Sequence, residues 1–483
     1  MGTPPVQIPH LWRMTAILPR RWQLPQAFDP AWYGRAYPDA VRARGGVALH
    51  WLRHGRYEGR LPCALAAAEA EAALWAGHED AYERLLGLAQ DARRTEALWA
   101  RLALARVAAA RGDWGGAAAE LAHLDPEGDL LRHLGLPAPL LFWLEIALQQ
   151  PQTARAKALI ELAEQGFGLF PALYLAKASL AKDNWSAALR PLYQAAGLPE
   201  PRLDLSKAPA RFDRLSAPSR TRVTQGPLVS VILPAHNAGR MLDTALSGLV
   251  GQSWQPLEIL VIDNGSDDDT PLRMAAWAAR DPRIQTIDGK AARGAYGARN
   301  LGLSRATGAL ITLQDADDWS HPDRIRLQAE SLLAETGQPA NLSFWARLRE
   351  DLRVTALRPD VGMIHPNLSS LMMRRETAMR LGYWDQIRAG ADSEYLDRLA
   401  HVFGAKALGH VRPDLPLAFG RVRAGSLSHA TETGLFLGPG AAARSAYLAA
   451  AREWHQSSGT APYLPQNPKT RPFAVPAALE LPQ

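Results

Sequence analysis

The chain reads PLVSVILPAHNAG at 227–239, LEILVIDNGSDDDT at 257–270, RIQTIDGKAARGAYGARNLGLSRATG at 283–308 and ALITLQDADDWSHP at 309–322. Each stretch opens on a short apolar run, at 229–233, 258–262, 284–287 and 309–313. These runs are rich in β-branched residues and hardly broken by polar ones, as strands covered on both faces are. The intervals leave room for one crossover helix each. The pattern predicts βαβαβαβ and a mostly parallel sheet. Ligands of such sheets bind outside the carboxyl ends of the strands. The polar residues at those ends are His236 and Asn237, Asp263, and the group Asp315, Asp317 and Asp318. An acidic cluster there predicts a divalent cation holding a phosphorylated ligand.

Four motifs in order carry a family resemblance: VSVILPAHN (229–237), DNGS (263–266), ARNLG (298–302) and DADD (315–318). They resemble the nucleotide-binding half of family 2 glycosyltransferases. That family has a Val-Ser-Val-Ile-Ile-Pro-x-Tyr-Asn start, an Asp-Asp-Gly-Ser turn, an Ala-Arg-Asn-x-Gly helix and an Asp-x-Asp strand end. The resemblance covers roughly residues 227–430. It implies a GT-A fold, a Rossmann-like mixed and mostly parallel sheet, over 227–455, with a nucleotide half at 227–338 and an acceptor half at 339–455.

Composition sets the frame for the rest. The chain has 483 residues, 47% of them hydrophobic and 21% charged, and a formal charge of +6. Three domains are expected at that length. The positive excess is spread over scattered arginines and points to no nucleic-acid module. The single cysteine, Cys63, excludes an intrachain disulfide framework and a multi-cysteine zinc site. The longest uncharged apolar run, 134–144, falls short of the ~20 residues a membrane helix needs. No signal peptide or myristoylation motif stands at the start. The expected location is the cytoplasm, with peripheral contact at the inner face of the membrane.

Residues 1–64 are expected to hold a small helical module. Within it, Asp29-Pro30 predicts a helix start, and 28–62 resembles a short module found beside glycosyltransferase domains in bacterial polysaccharide-synthesis proteins. His50 and His54 stand four apart without an acidic or Cys partner nearby, which favours packing over metal binding. Residues 65–200 carry helix-period patterning. Turns at Gly77 and Gly112 stand roughly 35 residues apart, with a third at Lys182 about twice as far on, close to the tetratricopeptide period. Trp114 and Trp185 are expected in the core. Two roles for this all-α helical-repeat region stay open: a concave surface for a protein partner, or a bundle that props up the sheet domain. Residues 201–226 read as a linker. Residues 456–483, rich in proline, read as a disordered tail or as a strap over the sheet domain.

Moving a sugar off a nucleotide diphosphate needs a neutralised leaving group, a deprotonated acceptor hydroxyl and an in-line arrangement. Carboxylates suit the hard cations Mn2+ and Mg2+, so Asp315, Asp317 and Asp318 are the expected metal ligands. The family resemblance adds Asp315 at the ribose, Asp317 as the favoured ligand, and His429 over the diphosphate or metal. It also implies a nucleotide-sugar site, of UDP type, made by Pro234, Ala235, His236, Asn237, Asp263, Arg299, Asn300 and Asp315. Two departures stand out: Asn264 replaces an aspartate, and His236 replaces an aromatic residue. The general base belongs near the acceptor, a glycan, lipid-linked or protein hydroxyl. Asp392 aligns best, with Glu394 the alternative.

The resemblance implies a metal-dependent single displacement that inverts the anomeric centre, in surface polysaccharide or glycoconjugate synthesis. A dehydrogenase or P-loop enzyme is excluded by the lack of their glycine-rich phosphate turns. The competing class is a scaffold whose helical repeats bind partners and whose sheet domain has lost catalysis.

Overall fold

The computed structural model describes residues 23–481, apart from 79, 151, 205, 207–209, 220, 356–361, 423–438 and 460. The chain forms two compact units, Met1–Leu180 with Arg358–Gly362, and Ala181–Leu357 with Met363–Gln483. The division therefore falls at Ala181, rather than at the expected 64 and 200.

The first unit is helical. Its opening helices are α1 (Pro30–Ala36), α2 (Pro38–Arg42) and α3 (Gly46–His50), which runs on into a π-helical turn, Trp51–Gly55. Asp29 caps α1 as its position before proline predicts, its carboxylate accepting from the N–H groups of Ala31 and Trp32 at 2.9 Å. Phe28, Tyr33 and Trp51 pack with Leu136 and Trp99 of the later helices. This shared core is why the 1–64 module does not stand apart. His50 bonds the Tyr33 hydroxyl at 3.2 Å, a packing role. Burial, then the charges of Glu96 and Asp29, pushes the Cys63 thiol up to about 11, which makes it a poor nucleophile.

Then follow α4 (Ala66–Trp75), α5 (Asp80–Leu88), α6 (Arg94–Ala110), α7 (Trp114–Ala122), α8 (Pro137–Gln149), α9 (Thr153–Phe167) and α10 (Pro171–Ala181). Consecutive pairs pack together, α4 on α5, α6 on α7 and α8 on α9. The pairing is not uniform, because a second π-helical stretch, Pro126–Leu134, stands between α7 and α8. Glu71 is buried and meets Arg106 at 2.6 and 2.7 Å, and the Trp99 indole N–H donates to it at 2.8 Å. Among the described residues of the chain, no helix is long and apolar enough to cross a membrane.

The second unit begins with α11 (Trp185–Ala195), sequence that patterning alone assigns to the helical region. The Tyr193 hydroxyl donates to the Pro416 carbonyl at 2.7 Å, and the Tyr193 ring stacks on His321. Those partners make α11 part of the sheet unit. The expected linker is also built into it. It forms a small hairpin of β1 (Arg202–Leu203) and β2 (Leu215–Ser216), with Phe212 fully buried between them in sequence.

The large sheet has the order β5-β4-β3-β6-β11-β8-β12-β7. Its strands are β3 (Val229–Ala235), β4 (Leu257–Asp263), β5 (Ile284–Asp288), β6 (Leu310–Leu313), β7 (Trp319–Ser320), β8 (Ala340–Leu348), β11 (Met372–Arg374) and β12 (Leu408–Arg421). Two short strands, β9 (Val354–Thr355) and β10 (His365–Pro366), pair with β8 alone. The four strands of the nucleotide half are parallel, as expected. β11 then joins β6 to β8 antiparallel to both.

The continuous apolar runs have a direct cause. Val229, Val231 and Leu233 of β3 face one core, which α12 (Met241–Val250), α13 (Thr270–Ala278) and α15 (Arg324–Ala334) cover. Ile232 of β3 and Leu260 and Ile262 of β4 face the other core, with α14 (Gly294–Arg305), α16 (Arg375–Leu381), α17 (Ala391–Phe403) and α18 (Pro439–Ser457). Alternate side chains point to opposite faces, so a strand with helices on both sides has no polar face.

Candidate active site

β4, β3 and β6 are adjacent and parallel, so the residues that follow them share one edge of the sheet. Ala235 closes β3 and Asp263 closes β4; Asp315 stands two residues past β6. The loops are tied together there. Asn264 N–H donates to the Ala235 carbonyl at 2.8 Å, and Asp267 N–H to the Asn237 side-chain carbonyl at 2.9 Å. Thr270 accepts from the N–H groups of Ala238 and Gly239, each at 2.9 Å. Asn237 adopts a left-handed φ of 48°, which asparagine tolerates. His236 is exposed, and its Nδ1 lies 3.1 Å from the Asn264 carbonyl oxygen. Asp263 is half-buried, and its Oδ1 accepts from Ser266 N–H at 3.0 Å, holding the turn.

In the DADD turn, Asp315 and Asp317 are partly exposed, while Ala316 and Asp318 are buried. Asp315 is held on both oxygens, by Arg299 Nη2 at 2.9 Å and Ser369 Oγ at 2.5 Å. Asp318 turns inward. Its Oδ1 accepts from the backbone N–H of Arg421 at 2.9 Å. Burial, then the negative charges of Asp317 and Asp315, pushes its carboxyl well above the usual carboxylate range. Asp318 is thus placed as a support of the turn and not alongside its neighbours as a ligand. The reason is local: 315–318 is a turn and not an extension of β6, so the strand alternation does not carry through it.

Arg421 braces that turn. Its Nε donates to the Asp317 carbonyl at 3.2 Å, its Nη1 meets Glu350 at 2.7 Å, and its Nη2 pairs with Asp213. Its guanidinium lies 4.2 Å from the centre of the Phe212 ring. Charge, stacking and a carbonyl contact together fix one orientation.

The first turns of α14 and α17 bring a second carboxylate to the group. Asp392 is partly exposed, and its Oδ1 accepts from the Tyr296 hydroxyl at 3.1 Å. The Tyr296 hydroxyl oxygen also accepts from Gly390 N–H at 3.2 Å. Arg299, one turn along α14, lies 5.4 Å from the Tyr296 ring centre. A continuous polar run therefore links Asp392, Tyr296, Arg299, Asp315 and Ser369. Tyr296 and Ser369 are absent from the sequence-based expectation. For Tyr296 there was a signal, since it lies three residues before Arg299 and so on the same helix face.

Two expected site residues lie elsewhere. Asn300 is fully buried. It donates to the Trp384 carbonyl at 2.7 Å and accepts from Trp384 N–H at 2.9 Å, so it ties α14 to the acceptor half and does not face the crevice. Glu394 is also fully buried, paired with Arg398 at 3.0 Å and with His455 at 2.9 Å. It cannot reach an acceptor hydroxyl, which leaves Asp392 as the candidate base. His429 lies outside the described residues.

Comparison with known proteins fits this geometry. Residues 230–341 match the family model for Glycosyl transferase family 2. The sheet unit carries a family 2 glycosyltransferase domain. Its sequence is similar to UDP-Glc:alpha-D-GlcNAc-diphosphoundecaprenol beta-1,3-glucosyltransferase WfgD of Escherichia coli, 32% identical over 117 residues, which are 24% of this chain and 44% of that protein. Succinoglycan biosynthesis protein ExoO of Rhizobium meliloti is 35% identical over 114 residues, 24% of this chain and 32% of that protein. The chain thus spans less than half the length of these relatives. A solved structure, mannosyltransferase PcManGT from Pyrobaculum calidifontis in complex with GDP-Man and Mn2+, is 20% identical. It overlaps 59% of this chain and 84% of its own at a TM-score of 0.34, too loose a likeness to argue from.

Among the described residues, no group of three or more His, Cys, Asp and Glu side chains is set to hold a metal ion. The glycosyltransferase domain instead offers two partly exposed carboxylates, Asp315 and Asp317, at the strand edge. That donor set fits Mg2+ or Mn2+, since Mg2+ is commonly held by one or two carboxylates together with the phosphates of its ligand.

Proposed function

We propose that this chain is a metal-dependent, inverting glycosyltransferase that moves a sugar from a nucleotide diphosphate, of UDP type, to a glycan or lipid-linked acceptor. The observation that carries the reading is the polar run from Asp315 through Arg299 and Tyr296 to Asp392. It puts a cation-binding carboxylate and a basic carboxylate in one connected group, as the transfer requires.

Each residue then has a task. Pro234, Ala235, His236, Asn237 and Asp263 surround the base and ribose. Asp317 and Asp315 hold the cation, which when bound supplies positive charge to the departing diphosphate oxygens. Arg299 orients Asp315 and adds its own charge at that edge. Asp392 takes the proton of the acceptor hydroxyl as that oxygen attacks the anomeric carbon from the face opposite the diphosphate. The Tyr296 hydroxyl fixes the orientation of the Asp392 carboxylate, leaving its second oxygen to the acceptor.

The names of the relatives support a UDP-sugar donor and an acceptor in polysaccharide assembly, one of them a diphosphoundecaprenol-linked sugar. A lipid-linked acceptor would bring the protein to the inner face of the membrane. The test is release of nucleotide diphosphate from a panel of nucleotide-sugars by the native chain and by Asp317→Ala. The reading requires release from one donor class and its loss in the variant at an unchanged thermal midpoint. Equal release from both would overturn the metal assignment.

A further inference from the structure

The C-terminal stretch 461–481 is a strap laid along 381–388. Tyr383 N–H donates to the Leu464 carbonyl at 2.8 Å, and Arg388 N–H to the Leu479 carbonyl at 2.8 Å. Leu464 and Leu479 are buried at these two anchor points. Between them Phe473 stacks on Trp454 of α18. The strap does not close flat. It encloses a cavity of about 310 Å³ with Arg293 and the segment 384–386.

The place of this cavity is informative. Arg293 directly precedes α14, three residues before Tyr296. A Cβ placed on Gly294 would come within 3.0 Å of the Leu481 side chain, so the strap's end rests on the first turn of α14. The opposite wall, 384–386, leads within a few residues to Asp392.

The lining is informative too. Arg293 and Arg471 supply two positive charges, and Asp385 and Glu480 two negative ones. Balanced charge argues against a diphosphate or an anionic headgroup as occupant. Gln386, Gln466 and Asn467 add amides, each able to donate and accept. Gln386 Nε2 already spans the gap, donating to the Gln466 carbonyl at 2.7 Å and to Asn467 Oδ1 at 3.1 Å. Amides, guanidinium groups and carboxylates on one concave wall, beside Trp384, Pro465 and Pro468, match a neutral polyhydroxylated ligand.

We propose that this strap cavity is a saccharide subsite, which holds a sugar of the acceptor next to the one that reacts. This rests on the glycosyltransferase reading above. It makes the strap a part of acceptor recognition rather than a tail.

The test is saturation-transfer NMR on the full chain with N-acetylglucosamine, cellobiose and chitobiose. The same measurement is made on Asn467→Trp, which fills the cavity, and on Arg293→Ala, an exposed rim position that leaves the packing intact. Native protein should bind at least one of the three saccharides, and each variant should weaken it by about fivefold or more, the loss of one or two hydrogen bonds. A thermal shift with UDP and Mn2+ on the same samples checks the donor site separately. Saccharide binding that is absent in the native protein, or unchanged in both variants, overturns the subsite. Cavity-dependent saccharide binding without any nucleotide shift would keep the subsite and sink the donor reading.

Discussion

The Tyr296 hydroxyl donates to Asp392 Oδ1 across 3.1 Å, joining the first turn of the helix after β5 to the first turn of the helix that opens at Ala391. This contact links the nucleotide half of the domain to the acceptor half at the point where proton transfer is assigned. It makes Asp392 a positioned base. Asp392→Asn is expected to lower kcat by about 100-fold or more, the usual contribution of a general base, at an unchanged thermal midpoint. Tyr296→Phe is expected to lower kcat several-fold and leave the donor KM unchanged. Steady-state kinetics with a saturating donor measure both.

Glu394 gives the opposite result. Its carboxylate is sealed between Arg398 and His455. Glu394→Gln leaves the Arg398 charge buried without its counter-ion and is expected to cost about 3–5 kcal/mol. Urea denaturation would show this as a lower midpoint. Whatever fraction stays folded should retain its kcat. A folded Glu394→Gln enzyme without activity would move the base to that residue.

Asn300 divides a structural role from a ligand role. Removing its amide in Asn300→Ala orphans both the N–H and the carbonyl of Trp384, at about 1–3 kcal/mol for each buried group. Nucleotide affinity, followed by calorimetry below the new melting point, is expected to stay within about twofold, less than one hydrogen bond is worth.

Acid sensitivity is built into the far end of the sheet. Burial raises the Glu258 carboxyl, but donation from Ser230, Thr307 and Gly308 outweighs it and holds the group below its ordinary value. A carboxyl lowered in the folded state stabilises the fold above its unfolded value of about 4.3, and that stability is lost as pH falls through the folded value. Stability of the native chain is therefore expected to decline below about pH 4.3, and less steeply in Glu258→Gln. Identical slopes in the two proteins would remove Glu258 from the account.

The four strand runs of the nucleotide half lie within two residues of their sequence-based positions, because strands buried on both faces leave an unbroken apolar signal. β12 left no such signal. It carries Pro413 and Pro416, which count against a strand. The sheet admits them because the register with β8 shifts between Val411 and Pro416, and because β7 pairs with β12 only beyond them. The motif residues were legible as residue types, but their facing was not. Asp318 differs from Asp317 only by the inward side of a turn. Asp392 and Glu394 stand about 200° apart around one helix, and only tertiary packing decides which side is wet. Arg421 was not found because its partners Asp213, Glu350 and Asp317 lie far away in the chain. Arg421→Met is expected to leave the Asp213 carboxylate buried and unpaired, costing about 3–5 kcal/mol, and to weaken Mn2+ binding by loosening the Asp317 turn.

The central claim is that the strand-edge aspartates hold a metal and a nucleotide. Thermal unfolding of the full chain with Mn2+ and a panel of nucleotide diphosphates tests it most directly, on the native protein and on Asp315→Ala/Asp317→Ala. A ligand that binds only the folded state raises the midpoint with its concentration. The account predicts a Mn2+-dependent rise with a uridine nucleotide that disappears in the double variant. No rise with any nucleotide, or an equal rise in both proteins, would contradict it and favour a scaffold over an enzyme.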